Sequence, residues 1–251
     1  MRLRRSLLLR LAAGAGLLAL FALLTGCGAL GGDQNTFAPE GDVADEQRDL
    51  FVLVTIIATI ILIGVSAALV YILVRYRRRS PDEPPPKQVH GNTRLEVAWT
   101  VAPALLLLGI AVPTVASIID LGRDPKADAL HVHVIASRFD WNFVYTDPEF
   151  ASADGDPLRA QDLHIPVDRE IAVELESQDV IHSFWVPKLA GKLDVMPGRN
   201  NRMWFNARDA GVYSAQCAEF CGIGHSIMRF TVVAEEQADF QAWVDEQLAA
   251  Q

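Results

Sequence analysis

A chain of 251 residues with 22 Lys plus Arg against 31 Asp plus Glu carries a formal charge of −9, and 51% of its residues are apolar. The acidic balance excludes nucleic acid as a partner, because neutralising phosphates takes cationic surface. That apolar share, with a positive mean hydropathy, exceeds what a soluble protein needs, so part of the chain is expected in a membrane.

Residues 1–26 hold Arg2, Arg4, Arg5 and Arg10, no acid, and an apolar core from Leu11 to Leu24, which reads as a secretory signal peptide. The tetrad Leu24-Thr25-Gly26-Cys27 resembles a bacterial lipobox, in which cleavage before the cysteine is coupled to its diacylation; Cys27 is therefore the expected lipidation site and mature N-terminus. Loss of residues 1–26 leaves 18 basic against 31 acidic residues, a net of −13. Residues 27–49, rich in Gly, Asp, Pro and Gln, are expected to form a flexible external linker without chemistry of their own.

Leu50 to Val74 is a run of 25 residues without a charge, enough to cross a hydrocarbon core of about 30 Å at about 1.5 Å per residue. Val97 to Ile119 is a second such run, whose Pro103 and Pro113 are tolerable in a helix packed among others. The two form an expected transmembrane hairpin, residues 50–119. Its connecting segment, 75–96, carries Arg75, Arg77, Arg78, Arg79, Lys87 and Arg94, which the positive-inside rule places in the cytoplasm. Everything after Ile119 then lies on the extracytoplasmic side of a bacterial cell membrane. Glu96 opens the second span, where a carboxylate faces the positive end of the helix dipole.

From Asp120 the pattern changes to short β-branched and aromatic segments, A-L-H-V-H-V-I-A, F-D-W-N-F-V-Y, E-I-A-V-E-L-E, R-M-W-F-N and R-F-T-V-V, with turns such as D-G-D-P and P-G-R-N between them. Residues 120–251 are thus expected to form an all-β sandwich or barrel. Strands are expected at Val212–Gln216 and Arg229–Ala234, and an amphipathic helix over Glu235–Leu248. His131 and His133 share one face of a strand and read as surface positions; Met196 and Met203 read as packing residues.

The connection between the last two expected strands is the richest stretch of the chain. Q-C-A-E-F-C-G-I-G-H-S-I-M places Cys217, Cys221, His225 and Met228 within twelve residues. A simple disulfide accounts for the two cysteines alone. It leaves the histidine and the thioether without a role, whereas thiolate, imidazole and thioether together select soft metals such as copper. A single-copper blue site uses one cysteine; two thiolates side by side can bridge two copper ions.

C-A-E-F-C-G-I-G-H-S-I-M resembles the dinuclear CuA loop of cytochrome c oxidase subunit II, and the resemblance extends over nearly all of the mature chain. D-V-I-H-S-F-W-V-P resembles a second signature of that family, in which His182 matches the remaining copper ligand. The resemblance implies a two-helix transmembrane hairpin followed by a cupredoxin-like β domain. It implies copper ligands at His182, Cys217, Glu219 through its backbone carbonyl, Cys221, His225 and Met228. It further implies that the Glu219 side chain reaches a magnesium or manganese ion at the boundary with subunit I. Glu96, in L-E-V-A-W-T-V-A-P-A, matches a glutamate near the mouth of a proton-conducting channel in subunit I.

The implied function is electron transfer. Cytochrome c delivers electrons to the copper pair, which passes them to subunit I, where oxygen is reduced to water and protons are pumped; other oxidase subunits complete the assembly. No residue here holds haem, so the oxygen chemistry belongs to another chain. The family carries a tryptophan at the point of electron arrival; here Phe139 stands in that place and Trp141 matches a second aromatic two residues on, expected on the same strand face. Residues 120–251 hold 22 acids and 11 bases, a net of −11 suited to a basic electron carrier. The alternative is a membrane-anchored cupredoxin that binds or delivers copper without turnover. Ubiquinol oxidase subunit II shares the fold but lacks the copper ligands, which are present here.

Overall fold

The computed structural model describes residues 31–250 except 81, 83, 85–87 and 89, together with the isolated residues 14 and 16. The expected signal segment, but for those two residues, and Cys27 lie outside the described residues. Two long helices, α1 (Asp42–Arg75) and α2 (Thr93–Leu121), precede a β domain closed by a short helix, α3 (Gln237–Ala249). Both long helices are apolar enough to cross a membrane, and almost none of either span is covered within the chain. Their apolar surface is left for lipid or for other chains.

The β domain is a sandwich of two five-stranded sheets. The first runs in the order β3 (Arg159–Ala160), β2 (Asp140–Tyr145), β1 (Leu130–Ser137), β5 (Ile171–Ser177), β8 (Asn201–Phe205). The second runs β4 (Leu163–Pro166), β10 (Arg229–Glu235), β9 (Gly211–Cys217), β6 (His182–Trp185), β7 (Lys192–Val195). Alternation puts Leu130, Val132, Val134 and Ala136 of β1 inward, where they meet Phe143, Phe184, Phe205 and Phe230. Aromatic rings meet across the gap: Trp141 lies 5.1 Å from Phe230, which lies 5.0 Å from Phe184. The expected strands are present, and the expected terminal helix is α3, which seats Phe240 and Val244 in the core. Trp243 of α3 stacks on His164 at 4.1 Å.

The expected flexible linker is the main correction. Helix α1 begins at Asp42, not near Leu50, so its 34 residues run about 51 Å, well beyond the apolar run. The first two turns stand clear of the span and bury Val43 and Ala44 against the β domain. Asn206 Oδ1 accepts from the backbone N–H of Asp42 at 2.9 Å, Arg208 pairs with both Asp42 and Asp45, and Lys188 reaches Glu40 at 2.6 Å. Gly41 fits there because a Cβ would collide with the backbone carbonyl oxygens of Asn206 and Leu189. Composition alone read these residues as linker because every partner lies over a hundred positions away.

Helix α2 is capped by Asn92, whose side chain accepts from the N–H groups of Arg94 and Leu95. Glu96 returns the favour by accepting from the Asn92 N–H at 3.1 Å. At the far end, Arg123 leads the chain into the β domain: its guanidinium stacks over Trp204 at 3.9 Å and pairs with the buried Glu170 at 2.6 Å. His131 and His133, on the outer face of β1, pair with Asp147 and Glu176, each at 2.9 Å.

The Glu170 carboxylate generates a pH prediction. Hydrogen bonds from Arg123, opposed by burial and reinforced by the Lys126 backbone N–H, hold its pKa down to about 2 from an ordinary 4.5. A depressed folded-state pKa means the stabilisation is complete above pH 4.5 and is lost as pH falls through about 2. Glu170→Gln is expected to lower unfolding stability at pH 7 by on the order of 2–3 kcal/mol and to flatten the acid limb. Denaturant titrations of the detergent-solubilised chain across that window check it; a variant with an unaltered acid limb contradicts it.

Candidate metal centre

The centre forms where three strands end together. β6 starts with His182, β9 stops at Cys217 and β10 resumes at Arg229, so residues 218–228 make the connecting loop. Two backbone bonds shape its base: Cys217 N–H donates to the Met228 carbonyl and Ala218 N–H to the Ser183 carbonyl, each at 2.9 Å. The pairing of Phe184 with Cys217 brings β6 alongside, so His182 arrives from 35 residues upstream with its Nδ1 3.9 Å from Cys217 Sγ.

The remaining donors gather within the loop. The two Sγ atoms stand 3.9 Å apart, far beyond the about 2.05 Å of a disulfide, and both thiols are free. Cys221 Sγ lies 3.7 Å from His225 Nδ1 and 3.7 Å from Met228 Sδ; Cys217 Sγ lies 3.2 Å from the Glu219 carbonyl oxygen. Each of the other four expected donors thus lies within 4 Å of one of the two thiols. His182, Cys217, Cys221 and Met228 are buried, His225 is half-buried, and Glu219 is exposed. Among the described residues, His182, Cys217 and Cys221 are the one group of three or more metal-binding side chains whose ligand atoms lie within 4.8 Å of one another.

The electrostatics suit a cation. Burial, and then the neighbouring Cys217, push the Cys221 thiol up to about 11. Without a metal the Cys221 thiol holds its proton, which a soft metal would displace on binding. Beside it, burial opposes the charge on Asp179 but is outweighed by hydrogen bonds from His182, from the N–H groups of Val180 and Arg138 and from the Arg138 side chain, so its carboxyl stays well below the usual range. Asp179 lies within D-V-I-H-S-F-W-V-P, three residues before the ligand, yet spacing alone gave no reason to single it out.

Phe139 and Trp141 part company. Residues 138–139 form the tight turn between β1 and β2, so Phe139 precedes the strand and the expected shared face does not exist. Its half-buried ring lies over the metal loop: a Cβ on Gly222 would stand 3.2 Å from it and one on Gly224 2.5 Å. Trp141 is 1% exposed, inside the sandwich, with its ring edge toward His182 at 6.2 Å. The surface around the loop is apolar, with Phe220, Ile223 and Ile227 strongly exposed. Met203 packs on the core and takes no part in the donor set.

Comparison with known proteins matches the two halves of this architecture separately. Residues 38–116 match the family described as cytochrome C oxidase subunit II, transmembrane domain, and residues 130–235 match cytochrome C oxidase subunit II, periplasmic domain. The chain belongs to the cytochrome c oxidase subunit II family. It is 40% identical over 229 residues to a protein of Alkalihalophilus pseudofirmus named cytochrome c oxidase subunit 2, covering 88% of this chain and 64% of that one. It is 30% identical to a probable cytochrome c oxidase subunit 2 of Rickettsia bellii, covering 82% and 81%. It is also 38% identical to a quinol oxidase subunit 2 of Bacillus spizizenii, covering 90% and 71%. The chain thus spans just under two thirds of the length of the Alkalihalophilus relative. As a subunit II it is membrane-anchored by two helices, its sandwich is the cupredoxin-like domain, and its family implies a copper centre, which the donor set fits atom type by atom type.

The close seat of the Phe139 ring yields a prediction. Gly224→Ala is expected to force the ring off the loop and to lower the stability of the copper-free chain by about 1–3 kcal/mol, the usual cost of overpacking. Thermal unfolding followed by near-ultraviolet circular dichroism measures it; an unshifted midpoint contradicts the contact.

Proposed function

We propose that this chain is the electron-accepting subunit of a respiratory cytochrome c oxidase. It would take electrons from a c-type cytochrome at a dinuclear CuA centre and hand them to the haem-copper subunit I, which reduces oxygen and pumps protons. The observation that carries this reading is the pair of thiols 3.9 Å apart, each with an imidazole of its own. A single copper would need one such thiolate; two copper ions would use every donor present. His182 and Met228 would serve one ion, His225 and the Glu219 carbonyl the other. When bound, the copper pair supplies a one-electron acceptor whose charge is shared over two metals and two sulfurs.

The protein residues have separate duties. The buried walls, Phe184 and Trp141 among them, exclude water from His182. The backbone bonds at the loop base hold the donors at one spacing through a change of charge, which keeps reorganisation small. The acidic domain, with its net charge of −11, steers a basic carrier, and the exposed Phe220, Ile223 and Ile227 offer it an apolar seat. Phe139, half-buried against Gly222 and Gly224 of the same loop, is the proposed point of arrival, and Trp141 is too deep to meet a carrier. The exposed Glu219 carboxylate is free to reach a magnesium or manganese ion shared with subunit I. Glu96, besides capping α2, would lie near a proton-channel mouth of subunit I. The arginine-rich connection between the spans supports a sandwich on the extracytoplasmic side of a bacterial membrane, the side on which a lipidated Cys27 would also sit.

The quinol oxidase relative marks the competing possibility within the family. A subunit that accepts no electron from a cytochrome has no use for two thiols each with an imidazole beside it, and their presence favours the cytochrome oxidase. Stopped-flow mixing of the copper-loaded chain with reduced cytochrome c provides the test. The wild type should be reduced, Cys217→Ser and Cys221→Ser should lose the acceptor, and Met228→Leu should keep it at a shifted potential. Phe139→Ala should slow the reduction about tenfold or more with its salt dependence unchanged, and Phe139→Trp should not. Equal rates in wild type and both serine variants contradict the function; a wild-type rate in Phe139→Ala contradicts that point of arrival.

A further inference from the structure

The turn between β1 and β2 touches both halves of the donor set. On one side Arg138 donates twice to Asp179 Oδ2, from its backbone N–H at 2.8 Å and from Nε at 3.2 Å. The other oxygen of the same carboxylate, Oδ1, accepts the Val180 N–H and faces His182 Nε2 at 2.9 Å. On the other side the Phe139 ring lies against Gly222 and Gly224, between Cys221 and His225. At Gly222, with φ of 136°, the backbone takes a path that favours glycine, and the ring fills the space a side chain would need. Two adjacent residues therefore hold the strand that brings His182 and the loop that brings the other ligands.

The contact with His182 has a chemical consequence. Its imidazole is wholly buried, with Nδ1 toward Cys217 Sγ and Nε2 toward Asp179. A carboxylate at Nε2 favours the tautomer that carries its proton there, which leaves the Nδ1 lone pair free and aimed at the thiol. Ligating histidines depend on such partners for orientation and basicity. Asp179 can serve because its remaining acceptor positions are filled by Val180 and Arg138, which fix the carboxylate plane. The Arg138 side chain is 51% exposed; its Nε reaches Asp179, and its stem passes beside Gly222 of the loop.

We propose that Arg138 and Asp179 are positioning residues: they brace His182 in the Nδ1-ligating tautomer before copper arrives, and the same turn, through Phe139, sets the spacing between His182 and the Cys221–His225 loop. This rests on the copper reading of the site and adds to it the means by which an apo site is formed in advance. The electron's proposed point of arrival and the ligand brace are then one structural unit, so movement of the turn alters the docking surface and the geometry of His182 together.

The test uses the full-length chain in detergent micelles, with competition against a copper chelator, nitrogen-15 shifts of His182 in the copper-free protein, and the midpoint potential of the loaded protein. Asp179→Ala should weaken copper binding about 10–100-fold, bring the His182 nitrogens toward a mixture of tautomers and shift the potential. Arg138→Ala should move all three readouts in the same direction by less, and Arg138→Lys should recover most of the change. A role confined to folding would lower the unfolding temperature and leave the nitrogen shifts and potential where they were. Wild-type affinity, shifts and potential in Asp179→Ala overturn the proposal. If Asp179→Ala does not fold, Arg138→Ala, a surface change, decides by the same criteria. A wild-type chain that takes up no copper overturns the copper reading itself, whatever the variants do.

Discussion

The pairing of β6 with β9 is the constraint on which the rest of the site depends. It is short, joining Phe184 to Cys217 and Trp185 to Gln216, and it is continued into the loop by the Ala218 N–H on the Ser183 carbonyl. A slip of one residue in that register would turn the neighbouring side chains to the opposite face, carrying His182 out of the sandwich and away from Cys217. The Phe184 ring holds the register from within, stacked on Phe230 and flanked by Trp141 and Phe205, so hydrophobic packing sets the relation between two ligand-bearing segments. The metal would add to an arrangement that the apolar core already enforces.

A second set of contacts places this centre relative to the membrane. The first two turns of α1 rise past the apolar run, bury Val43 and Ala44, and are held by Arg208, Asn206 and Lys188. At the other attachment, Arg123 is clamped between Trp204 and Glu170 just past the end of α2. The sandwich is therefore held at its covalent link to α2 and again by non-covalent contacts with the start of α1, instead of hanging from a tether. The proposed electron transfer would gain from such fixed geometry, since transfer falls steeply with distance.

Much of this was legible in the sequence because it is written in local chemistry. Charge-free runs and flanking arginines mark the spans, alternation marks the strands, and four soft donors within twelve residues mark the loop. His182 was legible only by resemblance, since its contact with Cys217 exists through a strand pairing that no periodicity reveals. What composition hid has one physical character: polar residues whose partners are distant in the chain. Glu40, Asp42 and Asp45 look like solvated linker until Lys188 and Arg208 are found beside them. Asp179 looks like a turn residue until Arg138 and His182 are seen on its two oxygens. Phe139 and Trp141 looked equivalent because period-two reasoning presumes a strand, and the strand begins one residue after Phe139.

The measurement that bears most directly on this account is the copper content of the purified full-length chain together with its electron paramagnetic resonance spectrum. Four donors beside two thiols, in the dinuclear site proposed here, call for two copper ions per chain sharing one unpaired electron, seen as hyperfine splitting from two equivalent copper nuclei. A single copper with four-line splitting, or a chain that binds none, would contradict it.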